Sequence, residues 1–151
     1  MRRAFTLIEV ILALAIFIIM SAASLGVGRA ILVHEREEQF FNQLISDWNQ
    51  LRQHIKANDD KGWMTVTERL VKFQEQGALG ASSYALALPD SLRVVPIGGQ
   101  TDGDVKTSKL QYKFFGTGAV DSGTVVFQRG SGKFVRVVVL MQWGVMVRKD
   151  G

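Results

Sequence analysis

The sequence predicts an α+β fold, in which one long N-terminal helix is followed by a small antiparallel β-sheet head. Three patterns predict it: an uncharged apolar run near the start, a stripe of apolar residues at helical spacing, and short alternating runs between glycine-rich turns. The chain has 151 residues, and an independent core needs most of about 100. One compact domain and one apolar segment therefore fill the chain.

The uncharged run covers residues 10–28, which are 19 residues without Asp, Glu, Lys or Arg. A helix of about 20 apolar residues matches the hydrocarbon thickness of a bilayer. Arg2 and Arg3 precede the run, and basic residues favour the cytoplasmic side. We therefore predict a single membrane pass with a cytoplasmic N-terminus and an extracytoplasmic head.

Glu9 lies at the edge of this run and bears on which kind of apolar segment the run can be. A secretory signal peptide cut near Ser21 to Ala23 would explain the apolar residues, and so would an uncleaved signal anchor. Neither explains a carboxylate there, because a charge costs about 2.5–3.5 kcal/mol at the centre of a membrane helix and somewhat less near its end. We expect Glu9 to have a cationic partner.

Residues 29–57 are predicted to continue the helix. Apolar side chains recur there at intervals of three and four residues, with charged residues mostly on the other faces. The stripe consists of Phe41, Leu44, Trp48, Leu51 and Ile55. A helix over 5–57 would be about 80 Å long at 1.5 Å per residue.

The second half is predicted to form short strands. The segment 64–73 has mixed periodicity and fits either a strand or a short helix. Further strands are predicted at 84–88, 92–97, 110–115, 124–128, 133–143 and 145–148. The turn 129–132 joins two of them in the clearest hairpin, and Gly144 marks a bulge or break.

The composition gives no indication of catalysis. The chain lacks cysteine, which excludes disulfides, thiol catalysis and thiolate metal sites. His34 and His54 are twenty residues apart without other ligands at metal-binding spacing, and no Ser/His/Asp set can be assembled. We expect no enzyme activity, no cofactor and no metal site.

The charge is too small to indicate nucleic-acid binding by itself. The chain carries +4 in total, and a chain beginning at Phe5 has 16 basic and 14 acidic residues. Arg129, Lys133 and Arg136 are candidate DNA contacts, although a solvated face that protects a sheet edge explains them more simply. We expect any contact with DNA to be indirect. The head's aromatic residues are predicted to lie in the core: Tyr112, Phe114, Phe127, Phe134 and Trp143.

The segment Arg3-Ala4-Phe5-Thr6-Leu7-Ile8-Glu9-Val10 resembles the class III signal of type IV pilins and pseudopilins. The resemblance implies a leader over 1–4, a membrane and filament-core helix over 5–28, its amphipathic continuation over 29–57 and a head over 58–151. It also implies that prepilin peptidase cuts between Ala4 and Phe5 and methylates the amine of Phe5. Glu9 would then pair with the N-terminus of a neighbouring subunit. The chain departs from the family in having Ala4 in place of glycine and no proline about twenty residues into the mature helix.

Short head motifs narrow the resemblance to the minor competence pseudopilins of Gram-positive bacteria, of the ComGD type. They are Glu37-Glu38-Gln39-Phe40-Phe41, Leu88-Pro89, Gly123-Thr124-Val125-Val126-Phe127 and Val138-Val139-Leu140-Met141-Gln142-Trp143-Gly144. This resemblance implies a structural subunit of a transformation pseudopilus, with other pilin-like subunits as partners and a final place at the cell surface. A minor pilin, a type II secretion pseudopilin and a membrane-anchored or secreted ligand-binding module stay open as alternatives.

Overall fold

The structure is a computed structural model that describes residues 7–77, 80–95, 110–141 and 143–151. For helix residues 22–27 and 29 only the backbone is described. The chain divides into two compact units, an N-terminal unit of Met1–Arg36 and a head unit of Glu37–Gly151.

One helix, α1, covers Leu7–Asn58 and contributes to both units. The predicted helix over 5–57 is therefore confirmed from residue 7 onward, and residues 5 and 6 lie outside the described part. The helix ends where Asp59 takes a positive φ of 54° and the amide of Asp60 donates to the carbonyl of Ile55. An α-left residue at this position is a common way for a helix to stop, and asparagine and aspartate tolerate it best after glycine.

Within the described residues, eight strands follow α1. They are β1 (Lys61–Val66), β2 (Leu70–Gly77), β3 (Gly80–Ala87), β4 (Leu92–Val94), β5 (Gln111–Phe114), β6 (Gly123–Arg129), β7 (Phe134–Val139) and β8 (Met146–Asp150). All their pairings are antiparallel, and they form two four-stranded sheets: a first sheet in the order β3-β2-β1-β5 and a second sheet in the order β4-β6-β7-β8. The predicted α+β class with a helix packed on antiparallel sheet is confirmed, with two sheets where one was expected.

The core of the head unit lies between α1 and the two sheets. The predicted stripe of α1 is buried throughout, and Trp48 is fully inaccessible to solvent. Its ring meets Tyr112 edge-on at 5.6 Å and Phe114 at 4.5 Å, while its Nε1 donates to the carbonyl of Gly144 at 2.8 Å. Because Tyr112 and Phe114 come from the first sheet and Gly144 follows β7 of the second, one side chain ties α1 to both.

Two sequence predictions about strands were wrong in detail. The segment 64–73 is neither one strand nor a helix, because Thr67 to Arg69 turn the chain between β1 and β2. The predicted strand 133–143 ends at Val139, where a turn begins in which the amide of Gly144 donates to Leu140. Gly144 has φ of +55°, which a glycine adopts at little cost, so the predicted break is confirmed there.

The early end of β7 corrects the prediction for Trp143. This residue lies in the turn and is 71% exposed, whereas it was expected in the core. Tyr112, Phe114 and Phe127 are buried as predicted, and Phe134 is partly exposed.

Candidate assembly site and head surfaces

Glu9 lies in the first turn of α1, and its side chain is exposed. A carboxylate in this position is favourable to the helix, since the N-terminal end carries partial positive charge. The predicted cleavage site, Ala4 and Phe5, lies outside the described residues. Its processing, the methylation of Phe5 and the pairing of Glu9 therefore stay predictions.

The described apolar side chains around Glu9 are exposed rather than packed in a core. Leu7 and Ile8 are 79% and 71% exposed, and Phe17, Ile19 and Met20 are exposed to a similar degree. Isolated soluble domains rarely expose contiguous apolar surface of this extent, so such surface marks contact with a membrane or another protein. In the part of the chain that the structure describes, no helix combines the length and apolar character needed to cross a membrane.

Arg129, a candidate DNA contact, is part of an ion-pair cluster inside the head unit. Its Nη2 is 3.2 Å from Glu38 Oε1, and its Nε is 3.3 Å from the buried Glu37 without a well-aligned hydrogen bond. Arg148 binds the same Glu38 through both Nη atoms, at 2.6 and 2.7 Å, and its guanidinium lies over the ring of Phe41 at 4.8 Å. Hydrogen bonds to Glu38 raise the pKa of Arg148 above its usual range. The cluster therefore fastens the second sheet to α1 through charge-assisted bonds.

Lys133 and Arg136 lie elsewhere on the second sheet. Lys133 is exposed in the turn before β7. Val135, Val137 and Val139 of β7 face the core, so strand alternation places Arg136 on the opposite face, with Lys149 of β8 as its register partner. Arg129 and Arg136 therefore point to opposite sides of the sheet. The DNA contact stays a prediction, and the three residues do not form one surface.

A groove between α1 and β3 with a mixed polar and apolar lining was missed in the sequence. It encloses about 600 Å³ and is lined by Gln43, Asp47, Gln50, Leu51, His54, Glu75, Tyr84, Ala85 and Leu86. His54 Nδ1 contacts Glu75 Oε1, and Gln43 Nε2 donates to Asp47 Oδ1 at 2.6 Å. Burial raises the pKa of Asp47 above its usual range, with the bond from Gln43 acting in the opposite direction. Polar residues on one face of a helix usually indicate that this face is exposed to solvent. Only the position of β3 shows that these residues line a groove.

The groove residues do not assemble a metal site. Within the described ranges, no three side chains of His, Asp or Glu are placed to hold one ion. Burial raises the pKa of both Tyr84 and Tyr112 above the usual tyrosine range. Tyr84 donates a long hydrogen bond of 3.5 Å to the carbonyl of Asp47, so this side chain joins β3 to α1.

Comparisons with known proteins concern the N-terminal motif and the fold. The family described as "Prokaryotic N-terminal methylation motif" matches residues 1–25. Among solved structures, the fold is similar to that of the minor pseudopilin EpsH from the Type 2 Secretion System of Vibrio cholerae. That match has a TM-score of 0.55 and 12% identity, and it covers 76% of this chain and 96% of the other. No curated protein matches the chain.

The family match concerns residues 1–25, the structural match covers 76% of the chain, and the two agree. At 12% identity the structural likeness establishes the fold, while the family match establishes the motif at the N-terminus. The ComGD subtype expected from the head motifs stays a prediction. Residues 1–25 therefore carry a prokaryotic N-terminal methylation motif, and the fold of the chain is similar to that of a minor pseudopilin.

Proposed function

We propose that this protein is a minor pseudopilin, a structural subunit of an extracytoplasmic filament. The observation that carries the proposal is the combination of the methylation motif over residues 1–25 with a two-sheet head packed on the second half of α1. In this proposal, prepilin peptidase removes residues 1–4 and methylates Phe5. The apolar N-terminal unit then holds the subunit in the membrane before assembly and among other pilin-like subunits afterwards.

Glu9 is the proposed assembly residue. Once the leader is removed, each subunit begins with a positively charged amine at Phe5, four residues before the carboxylate. In surroundings of low dielectric constant, either charge alone is costly, and pairing them offsets much of that cost. A Glu9 that reaches the N-terminus of a neighbour therefore favours ordered association over simple aggregation of apolar helices.

The filament system has two candidates. The short head motifs support a competence pseudopilus, which helps to bring external DNA to the uptake machinery. The fold shared with a minor pseudopilin of a type II secretion system supports a secretion pseudopilus. We propose the competence role, with the secretion pseudopilin as the alternative.

Processing is tested by mass spectrometry of the mature N-terminus from cells. We expect a chain that begins with methylated Phe5. A chain that begins near Ser24 would mean conventional signal-peptide cleavage and would contradict the proposal, and so would an intact Met1. The variant Phe5→Ala is a useful comparison, because it keeps the leader charge and the small residue Ala4.

The system is tested by deleting the gene and measuring two processes in the same strain. Loss of labelled-DNA uptake with normal protein secretion would support the competence role. Loss of secretion with normal DNA uptake would support the alternative. Complementation with Glu9→Ala should fail in whichever process is affected, since the variant subunit is not expected to enter the filament.

A further inference from the structure

Strand β3 is the edge of the first sheet, and its sequence is unusual for an edge. Its eight residues, Gly80–Ala87, contain no charge and no proline, and all but Leu86 are exposed. Long uncharged edges are templates for pairing with another strand, and proteins normally protect them with lysine, proline, bulges or short length. β3 has none of these features.

The backbone of β3 presents hydrogen-bonding groups outward. The amide of Leu88 donates to the carbonyl of Arg69, and the register continues as Leu86 with Val71 and Tyr84 with Phe73. Antiparallel pairs alternate, so the even-numbered residues bond to β2 and the intervening ones direct their N–H and C=O groups away. The outward residues are Ala81, Ser83, Ala85 and Ala87. No described residue bonds to their outward backbone groups.

Among the described strands, the other three sheet edges are protected. β4 has three residues, and β8 carries Arg148, Lys149 and Asp150. β5 has four residues including Lys113, whose carbonyl already accepts from the amide of Asp121 at 3.1 Å. The contrast within one head unit indicates that β3 is left open for a partner.

The groove between α1 and β3 indicates the chemistry of that partner. A strand added to β3 would lie about 4.8 Å beyond it, so its inward side chains would enter the groove. Among the described residues, the lining offers apolar surface at Leu51 and Leu86, two carboxylates, Asp47 and Glu75, and one basic group, His54. Asp47 is almost completely buried, and Gln43 is its side-chain partner there. A cation in the groove would therefore meet the carboxylates of Asp47 and Glu75. At Glu75 it would compete with His54, whose Nδ1 contacts Oε1, and with Ser82, whose hydroxyl donates to Oε2 at 3.3 Å.

We propose that β3 accepts an extended strand of another protein subunit, with a lysine or arginine of that strand placed against Asp47 and Glu75. Main-chain hydrogen bonds supply the affinity in this mode of recognition, and the side chain in the groove supplies the selectivity. The proposal rests on the proposed function only in identifying the other subunit as a neighbour in the same filament.

The test uses the full chain, labelled with ¹⁵N in detergent micelles, and two nine-residue peptides. One peptide alternates threonine with lysine, and the other alternates threonine with glutamate. We expect the lysine peptide to slow the hydrogen exchange of the outward amides of Ser83 and Ala85 at least tenfold, and the glutamate peptide to leave them unchanged. Because the chain as a whole is positively charged, general electrostatics favour the opposite result.

A matched pair of proline variants separates edge pairing from other binding. Ala85→Pro removes an outward N–H and leaves the bonds to β2, because proline is tolerated where the edge N–H faces solvent. Gln111→Pro makes the same change at β5, the other edge of the first sheet, where Gln111 is exposed and lies between the β1-bonded positions 110 and 112. We expect Ala85→Pro to weaken the lysine peptide at least tenfold and Gln111→Pro to have no effect, with thermal midpoints close to that of the parent.

Asp47→Asn tests the groove. It should weaken the lysine peptide several-fold while the outward amides of β3 keep their exchange rates in the free protein. Equal binding of the two peptides, absence of amide protection at millimolar peptide, or loss of binding in Gln111→Pro alone would overturn the proposal. Concentration-dependent self-association that Ala85→Pro abolishes would also overturn it, in favour of a second copy of this chain. Because the peptides bind an isolated chain, failure here would leave the N-terminal processing test unaffected.

Discussion

The N-terminal unit and the second half of α1 are both rich in apolar residues, but they use them differently. In the head unit, Phe41, Trp48 and Ile55 are fully buried against the sheets of the same chain. In the N-terminal unit, Leu7, Ile8 and Phe17 stay exposed. The difference follows from distribution, because a stripe at spacing three and four needs a covering on one side, whereas a helix that is apolar all round needs a covering on every side. A membrane or a neighbouring protein supplies a covering on every side.

Glu9→Ala, in the exposed apolar region, is expected to have the largest effect of the substitutions considered. The change removes the one carboxylate from the exposed apolar region, so membrane insertion should persist or improve. Assembly should fail, because the amine of the neighbouring subunit loses its partner. Cell fractionation and immunoblotting of sheared filaments would measure incorporation, with Glu35→Ala on an exposed face of α1 as the control. Normal incorporation of Glu9→Ala would remove the pairing argument.

Trp48→Ala should destabilise the buried core of the head unit. Removing a buried tryptophan typically costs about 3–5 kcal/mol, and this one also donates to the carbonyl of Gly144. Thermal unfolding of the full chain in detergent should show a large fall in the midpoint for the head unit. Trp143→Ala is the matched control, since the same residue type is exposed in the turn after β7 and should be nearly neutral. Similar losses in both variants would contradict the core described here.

The helix and the closing hairpin could be predicted from the sequence because both are local. The spacing of Phe41, Trp48 and Ile55 defines a helix face, and Arg129 to Gly132 define a turn between alternating runs. The division into two sheets could not be predicted, because β4 pairs with β6 and β5 pairs with β1 across long stretches of chain. Such pairings depend on tertiary packing that periodicity does not encode.

The candidate site residues could likewise be predicted only where the evidence is local in sequence. Glu9 can be identified from the sequence, because a carboxylate beside an apolar run is energetically costly and the run consists of its neighbours in sequence. Arg129 has the sequence surroundings of a surface cation, since its carboxylate partners Glu37 and Glu38 are about ninety residues earlier. The open edge of β3 was missed for a related reason. Whether a strand lies at the edge of a sheet depends on which other strands pair with it, and the sequence of β3 alone does not show this.

Glu38→Gln should have a moderate effect on the head unit. The change weakens two bonds to Arg148 and one to Arg129, while Glu37 and Asp150 stay beside these cations. Because Glu38 is partly exposed, we expect a loss of about 1–2 kcal/mol, which is less than for a fully buried pair. Thermal unfolding would measure it against Glu68→Gln, an exposed carboxylate in the turn between β1 and β2. An unchanged midpoint would mean that the cluster contributes nothing to holding α1 on the second sheet.

Asp47→Asn should have a smaller effect with a defined pH dependence. Burial raises the pKa of Asp47 in the folded protein above its ordinary value of 3.8, so the folded state binds more protons than the unfolded state between those two pKa values. The stability contributed by this group therefore falls as pH rises through that window. The introduced amide keeps an oxygen for Gln43 without the charge, so the variant should be slightly more stable than the parent at pH 7 and equal or less stable near pH 3. Thermal midpoints measured at both pH values would check the sign, and a variant that is less stable only at pH 7 would contradict it.

Substitution of the candidate DNA contacts is expected to have the smallest effect. Lys133 and Arg136 are the candidate cations outside the ion-pair cluster, and each phosphate contact would add about −0.9 to the slope of log affinity against log salt. The full chain in micelles can be titrated with duplex DNA at several salt concentrations, beside a Lys133→Gln/Arg136→Gln double variant and an Arg129→Gln variant. We expect weak binding without sequence preference and a slope that the double variant scarcely changes, whereas Arg129→Gln should lower the thermal midpoint through Glu37 and Glu38. Submicromolar affinity at physiological salt, lost in the double variant together with a slope shallower by about 1.8, would make Lys133 and Arg136 direct DNA contacts.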